Sequence, residues 1–219
     1  MLMSFRKFSR KLACATGDKS GTAAIEFTLV SPLLLVTLIG GTEVTQAVIA
    51  ARKAAVATRT MADLTAQIRG TTEVTAAMID EVYAAGSVVM APYPAGSLRV
   101  AVSRVDVTSV NNVLTARTTW STTSNGGTPR PCAVLNRISN TANPEPGSFP
   151  EGMYHPSRFI VVDVVYTYSA PLTTNFAPAS FGFSGWTNTG NGIEIRKTAY
   201  MQTRIDGNPT MTGPGACPP

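Results

Sequence analysis

The stretch "GDKSGTAAIEFTLVSPLLLVTLIGG", from Gly17 to Gly41, decides the fold of the N-terminal part of this chain. It contains an apolar run of the length that crosses a bilayer as a helix, roughly 20 residues. One acid, Glu26, lies near the start of that run. A carboxylate within a membrane helix costs at least ~2–3 kcal/mol unless it is paired or reaches water. Glu26 is therefore a candidate functional residue.

The positive charge of the chain is concentrated before the apolar run. Five of the 18 Lys+Arg precede Thr22, where Asp18 is the only acid, so +4 of the net +5 belongs to this leader. The net positive charge of the chain therefore gives little support for a nucleic-acid partner. The positive-inside rule predicts a cytoplasmic leader and a C-terminal domain across the membrane.

The leader differs from a secretory signal, because no A-x-A cleavage site follows the apolar run. Small residues, Ser20 to Ala24, precede the run instead. A peptidase that cuts among them would remove the charges and leave the hydrophobic segment on the product.

The helical pattern continues beyond the apolar run. Residues 43–69 contain no Pro or Gly and are rich in Ala. A helix from Thr22 to Ile68 would be about 70 Å long at ~1.5 Å per residue, about twice what a membrane requires. Its outer half must pack on something, and an Ala-rich face allows close approach.

These features together resemble a known processing site. Gly21, directly before "TAAIEF" (Thr22–Phe27), with a basic leader upstream and a long apolar helix downstream, resembles a type IV prepilin site. "FTLVSPLLLVTLIGG" (Phe27–Gly41) and "AARKAAVATR" (Ala50–Arg59) resemble specifically the TadE-like family of Tad (type IVc-like) pilus assembly proteins.

The resemblance implies a role for each matching residue. Gly21 would be the last leader residue and Thr22 the new N-terminus. Glu26, with Phe27 beside it, would serve recognition, methylation or assembly. Pro32 corresponds to a proline common in these helices. Many pilins begin with a larger apolar residue than Thr22, so N-methylation of Thr22 stays open.

The chemistry of Glu26 gives an independent reason for this assignment. Positions 22 and 26 lie one turn apart on the same helix face. After cleavage, the carboxylate can pair with its own Thr22 amine or with that of a neighbouring subunit. The alternative is a glutamate at the membrane surface with its carboxylate in water.

Pro32 predicts a kink in the same helix. It lacks an amide donor and clashes with the preceding turn, so the helix should loosen near Thr28. Two interpretations stay open: a flexible point for extraction from the membrane, and an ordinary kinked membrane helix.

The remaining chain predicts one short helix and an antiparallel sheet. We expect the helix over Thr72–Ala85, capped by Thr72 and ended by Gly86. Fourteen of the 15 prolines follow residue 90, which indicates short strands and loops. Four strands are predicted, at Leu98–Val107, Val113–Trp120, Phe159–Tyr168 and Ile193–Ile205.

Local patterns refine this sheet. The apolar parity changes near Ser103-Arg104, so we expect a bulge or two buried faces there. Asn111-Asn112 predicts a hairpin between the first two strands. Alternation in the second strand places Leu114, Ala116 and Trp120 on one side.

The loop Pro171–Gly192 carries a group of aromatic residues. Either they hold the loop on a core, or they form an exposed adhesive or subunit-contact patch. The residues are Phe176, Phe181, Phe183 and Trp186.

Cysteine usage predicts one disulfide. Cys14 lies in the leader, and cleavage leaves Cys132 and Cys217 in loop-rich sequence on the oxidising side. We expect a bond between them, which closes a long loop; two unpaired thiols are the alternative.

No catalytic, metal or cofactor motif is found, and the protein is predicted not to be an enzyme. The single histidine, His155, lies beside a proline in a loop. "DVTSV" (Asp106–Val110) does not fit the metal-site pattern of adhesion modules. Asp163, within an apolar strand, is a candidate partner for an arginine.

We therefore expect an α+β fold in which a long N-terminal pilin-like helix packs by its outer half on an antiparallel sheet of about four strands. The predicted organisation is a leader at 1–21, a transmembrane part at 22–45, a helix continuation at 46–69 and a periplasmic domain at 70–219.

The predicted function is that of a minor pilin or pseudopilin in Tad pilus biogenesis. Its expected partners are the prepilin peptidase, other pilins or pseudopilins, the assembly platform and inner-membrane lipid. The alternative is an uncleaved single-span protein whose periplasmic domain binds a ligand or partner. Whether the protein enters the fibre or touches a surface stays open.

Overall fold

A computed structural model describes the chain over residues 20–68, 73–139, 145–169, 186–188, 192–203 and 210–218. The leader charges lie outside these residues, as do Phe176, Phe181 and Phe183. The chain divides into two compact units, one that ends at Val44 and one that begins at Thr45.

The first helix, α1, runs without interruption from Ser20 to Ala66, over 47 residues. Its apolar half lies in the first unit and its Ala-rich half in the second. Leu and Ala are strong helix formers, which explains the length of the element. The long helix predicted over Thr22–Ile68 is therefore confirmed, with Pro32 inside it.

The second helix, α2, runs from Ala76 to Met90, so the predicted bounds are wrong. Thr75 is the N-cap, and its side chain accepts from the Met78 amide at 3.3 Å. Thr72, the predicted cap, lies outside the described residues. The helix passes through Gly86 and ends before Pro92, because the residue before a proline disfavours helical backbone.

Gly86 permits close packing and is not a helix stop. A Cβ placed on it would lie 2.4 Å from the Sδ of Met61 on α1. The two helices therefore approach closely at this point.

In the part of the chain that the structure describes, seven strands follow α2. They are β1 (Leu98–Val110), β2 (Val113–Ser124), β3 (Asn136–Ile138), β4 (Ser148–Pro150), β5 (Ser157–Tyr168), β6 (Trp186–Asn188) and β7 (Ile193–Gln202).

Five of these strands form an antiparallel sheet in the order β2-β1-β5-β7-β6. The four predicted strands are all present as neighbours, which confirms the α+β class. The short β6 lies within the stretch predicted as a loop. β3 and β4 form a separate parallel pair, which the sequence did not predict.

The predicted hairpin is confirmed, and both alternatives for the parity change near Ser103-Arg104, a bulge and two buried faces, are present. Asn111 and Asn112 connect β1 to β2 with φ of 51° and 63°, values that asparagine tolerates better than most residues. The register shifts between Arg104 and Val105, where Thr119 is the extra residue on β2.

The bulge corrects one expectation. Trp120 packs toward the helices, whereas Ala116 packs on the opposite face of the sheet. The sequence predicts them on one side, but the extra residue reverses the alternation of β2.

Both faces of the sheet are covered. The helix-side core joins the inner faces of α1 and α2 to sheet residues such as Val102, Ile160 and Val162. The far-side core includes Val105, Val161 and two residues of the segment after β2, Leu135 and Phe149. The sequence predicted the helix-side layer, and two buried faces only as an alternative near Ser103-Arg104.

Candidate functional site on the first helix

The first half of α1 is apolar and exposed around its circumference. Leu29 is 77% exposed and Val36 is 70% exposed. By length and composition this helix is a candidate membrane span. A helix that is apolar on all sides suits lipid or a bundle of similar helices rather than one core face. Its other large exposed side chains are Ile25, Phe27, Val30, Leu33, Leu34, Leu35, Leu38 and Ile39.

Three threonines of this segment satisfy their hydroxyl groups within the helix. Thr28 donates to the carbonyl of Ala24 at 2.7 Å, and Thr42 donates to that of Ile39 at 2.7 Å. Thr37 donates to the carbonyl of Leu34 at 2.9 Å. These bonds reduce the cost of placing polar groups in lipid, since each hydroxyl already has an acceptor.

The predicted processing and assembly residues lie at the start of this segment. Gly21 is exposed, and a Cβ placed on it meets nothing within 4 Å. Glu26 is exposed one turn beyond Thr22, and Phe27 is 69% exposed. Within the described residues, Glu26 has no ion-pair partner. These side chains are thus exposed within the described part of the chain, and their roles remain predictions.

Pro32 lies within the continuous helix. Because proline lacks an amide hydrogen, it cannot donate to the carbonyl of Thr28. The predicted kink remains a prediction.

The second half of α1 differs from the first because an alanine face is buried. Ala50, Ala54 and Ala57 are each 0% exposed within the helix-side core. Two polar contacts fix the same half. The Tyr93 hydroxyl donates to Gln46 Oε1 at 2.8 Å, and Lys53 Nζ donates to the Ala91 carbonyl at 2.5 Å.

Asp163 pairs with an arginine, as expected, and the partner is Arg130. The guanidinium donates through Nε at 2.8 Å and through Nη2 at 3.0 Å to the two carboxylate oxygens. The Thr198 hydroxyl adds a third bond at 2.7 Å. Arg130 is 1% exposed, and its Nη1 also donates to the carbonyls of Pro146 and Ser148. This pair fixes the segment after β2 on the sheet.

Sequence reasoning did not identify Arg130, because 33 residues separate it from Asp163. A lone arginine in a loop-rich segment carries no signal of its partner. Burial raises the pKa of the adjacent Tyr200 to about 12, although the nearby Arg130 opposes the shift.

The other predicted groups have structural surroundings. Cys132 and Cys217 form a disulfide, as expected. His155 is exposed and its ring packs edge-on against Phe159 at 5.3 Å between centroids. Among the described residues, no group of three or more His, Cys, Asp or Glu could hold a metal ion.

The comparison with known proteins gives one family. A family model described as "TadE-like protein" matches residues 21–63. The match begins at Gly21 and covers both the exposed apolar half and much of the alanine face of α1. The resemblance to the TadE-like family is therefore confirmed for this segment, and it indicates a Tad pilus-associated, pilin-like protein. No curated protein and no solved structure matches the chain.

Proposed function

We propose that this protein is a minor pilin or pseudopilin of a Tad-type pilus that is processed after Gly21. The main support is the division of α1 within the matched region 21–63. One half exposes apolar side chains around its circumference, whereas the other half buries alanines against a folded domain. One half therefore suits a bilayer or helical bundle, and the other carries the folded domain.

The proposed mechanism begins with orientation and cleavage. The basic leader keeps the N-terminus in the cytoplasm, and the sheet domain lies in the periplasm. A prepilin peptidase hydrolyses the bond between Gly21 and Thr22. The new amine then lies one turn from Glu26, which pairs with it in the same subunit or in a neighbour.

The proposed role after cleavage is structural. The apolar half of α1 joins or initiates a bundle with other pilins at the assembly platform. In lipid, such helices associate through close packing and polar pairs, which Glu26 provides. The sheet domain caps, initiates or decorates the fibre.

The first test compares two glycines. A Cβ placed at either Gly21 or Gly40 meets nothing within 4 Å, so the two positions are matched in their immediate space. Mass spectrometry of the purified membrane protein should find Thr22 at the N-terminus of the unaltered protein and of Gly40→Leu. Gly21→Leu should retain the leader. An unaltered protein that begins at Met1 contradicts the proposal.

The second test concerns Glu26. Exchange of Ile25 and Glu26 keeps composition and hydropathy but moves the carboxylate off the face of Thr22. A simple membrane anchor tolerates the exchange, whereas a pilin loses processing or assembly. Immunoblots of membranes and of sheared pili measure both steps. Normal processing and normal assembly of the exchanged protein would refute the role of Glu26.

A further inference from the structure

The outer edge of β2 is closed by two separate segments of the chain. Among the described strands, β2 is the last on one side of the sheet, so one row of its backbone groups faces away from β1. An open edge of this kind is a template for pairing with another chain. The residues that cover this edge therefore determine whether one copy of the protein can pair with another through β2.

The first segment, residues 133–135, covers the edge of β2 at residues 116–118. The Thr118 amide donates to the Ala133 carbonyl at 3.3 Å, and the Leu135 amide donates to the Ala116 carbonyl at 2.8 Å. Leu135 is buried in the far-side core, which holds this segment in place.

The second segment, residues 215–217, covers the edge of β2 at residues 119–121. The Ser121 amide donates to the Gly215 carbonyl at 2.8 Å, and the Cys217 amide donates to the Thr119 carbonyl at 3.0 Å. Gly215 has φ of +104°, and a Cβ there would lie 2.8 Å from the Ser121 carbonyl oxygen. A glycine is thus required for the tail to approach β2 this closely.

The disulfide joins these two segments. Cys132 directly precedes the first segment. Cys217 is the last residue of the second segment that bonds to β2. The two cysteines are 85 positions apart in sequence. We name residues 210–218 together with this bond the tail strap. Besides the bond, the strap is held by the buried Met211 and by the Val74 amide, which donates to the Thr210 carbonyl at 2.9 Å.

The strand beneath the strap is well suited to pairing. The run "TARTTWSTTS" (Thr115–Ser124) is rich in Thr, includes Trp120, and carries one charge and no proline. Such a composition has high β-propensity and little charge repulsion. The partner that this edge fits is β2 of a second copy of the chain. Each copy presents the same row of backbone donors and acceptors with little charge beside it.

We propose that the tail strap is a redox-sensitive cover, and that opening the disulfide exposes β2 to pairing with a second copy of this chain. Cys132 is exposed and Cys217 is half-buried, so a dithiol can reach the bond. Thiol–disulfide exchange transfers two electrons: the dithiol becomes a disulfide, and Cys132 and Cys217 become thiols. The tail then depends on few backbone hydrogen bonds, each worth about 1 kcal/mol.

The test uses the full chain in detergent micelles. One sample keeps the disulfide, and the other is reduced with dithiothreitol. Hydrogen–deuterium exchange at the Ser121 amide, which donates to the tail, should rise roughly tenfold or more on reduction, while residues 160–164 of β5 stay protected. Unchanged exchange at Ser121 overturns the proposal, because the tail would then stay docked without the bond. Equal loss of protection in β5 also overturns it, because the bond would then stabilise the whole fold.

Light scattering tests the identity of the occupant. The mass of the reduced protein should rise with concentration, whereas that of the oxidised protein should not. Thr123→Lys places a charge on β2 at an exposed position and should abolish the rise in mass without lowering exchange at the Ser121 amide. A reduced protein that remains monomeric, or a rise that Thr123→Lys does not affect, refutes pairing through β2. A Cys132→Ser/Cys217→Ser variant should match the reduced protein and show no response to dithiothreitol.

Discussion

At the scale of the residue, the Asp163–Arg130 pair shows what a buried charge does in this domain. Both carboxylate oxygens accept from one guanidinium, whose remaining bonds go to two backbone carbonyls. The side chain of Arg130 is 0% exposed and that of Asp163 is 13% exposed. Removing one partner would leave the other buried and unpaired, which is the costly outcome for such pairs.

We predict that Asp163→Asn lowers the free energy of unfolding by about 3–5 kcal/mol. The asparagine keeps the shape but removes the charge opposite Arg130. Urea unfolding of the detergent-solubilised protein, followed by tryptophan fluorescence, measures the loss. Glu81→Gln on the exposed face of α2 is the control and should change stability by less than about 0.5 kcal/mol. A loss no larger than that of the control contradicts the prediction.

At the scale of the element, α1 performs two tasks with one continuous backbone. Its first half is exposed, and its second half buries small side chains that let the helix approach α2 and the sheet. Alanine suits the second task because it combines the highest helix propensity with the least volume. The alanines are therefore packing residues whose size matters more than their hydrophobicity.

Ala54→Leu should destabilise the second unit by about 1–3 kcal/mol, because Ala54 is 0% exposed and the added volume has no space. Ala84→Leu on α2 is the matched control, since Ala84 is exposed. The control should unfold like the unaltered protein in a thermal melt. If both variants melt at the same temperature, the alanine face is not tightly packed.

At the scale of the whole molecule, two half-buried tyrosines with buried hydroxyl groups couple stability to alkaline pH. Burial raises the pKa of Tyr83 and that of Tyr200 from 10.0 to about 12. In the unfolded chain both phenols lose their protons near pH 10, whereas in the folded protein they keep them. The unfolded state therefore binds fewer protons above pH 10, and stability must fall as pH rises from 10 to about 12.

We predict that these two tyrosines leave the urea midpoint of unfolding unchanged below about pH 9 to 10. Above that pH, the midpoint should fall as the pH rises. Tyr200→Phe should weaken this alkaline fall, because its ring keeps the aromatic contacts with Phe149 but cannot ionise. Tyrosinate absorbance recorded along the same titration checks the assignment. An alkaline fall of equal size in Tyr200→Phe would exclude Tyr200 as a cause.

Much of the molecule is determined by local sequence alone. The long helix follows from an uninterrupted run of strong helix formers, and the hairpin at Asn111-Asn112 follows from residues that tolerate positive φ. The apolar run and Gly21 led to the TadE-like resemblance, which the family model matches over residues 21–63. These signals lie within a few residues of each other, so no tertiary contact is needed to see them.

Only the tertiary structure decided the features that join distant parts of the chain. The helix α2 continues to Met90, just before Pro92, and Gly86 packs against Met61 inside it, whereas the local pattern predicts a stop at Gly86. The bulge at Thr119 moved Trp120 to the helix side, and Arg130 and the tail strap completed the far face and the edge. Long-range partners are chosen by shape, charge and hydrogen bonding in the folded state, and no local pattern in the sequence records those choices.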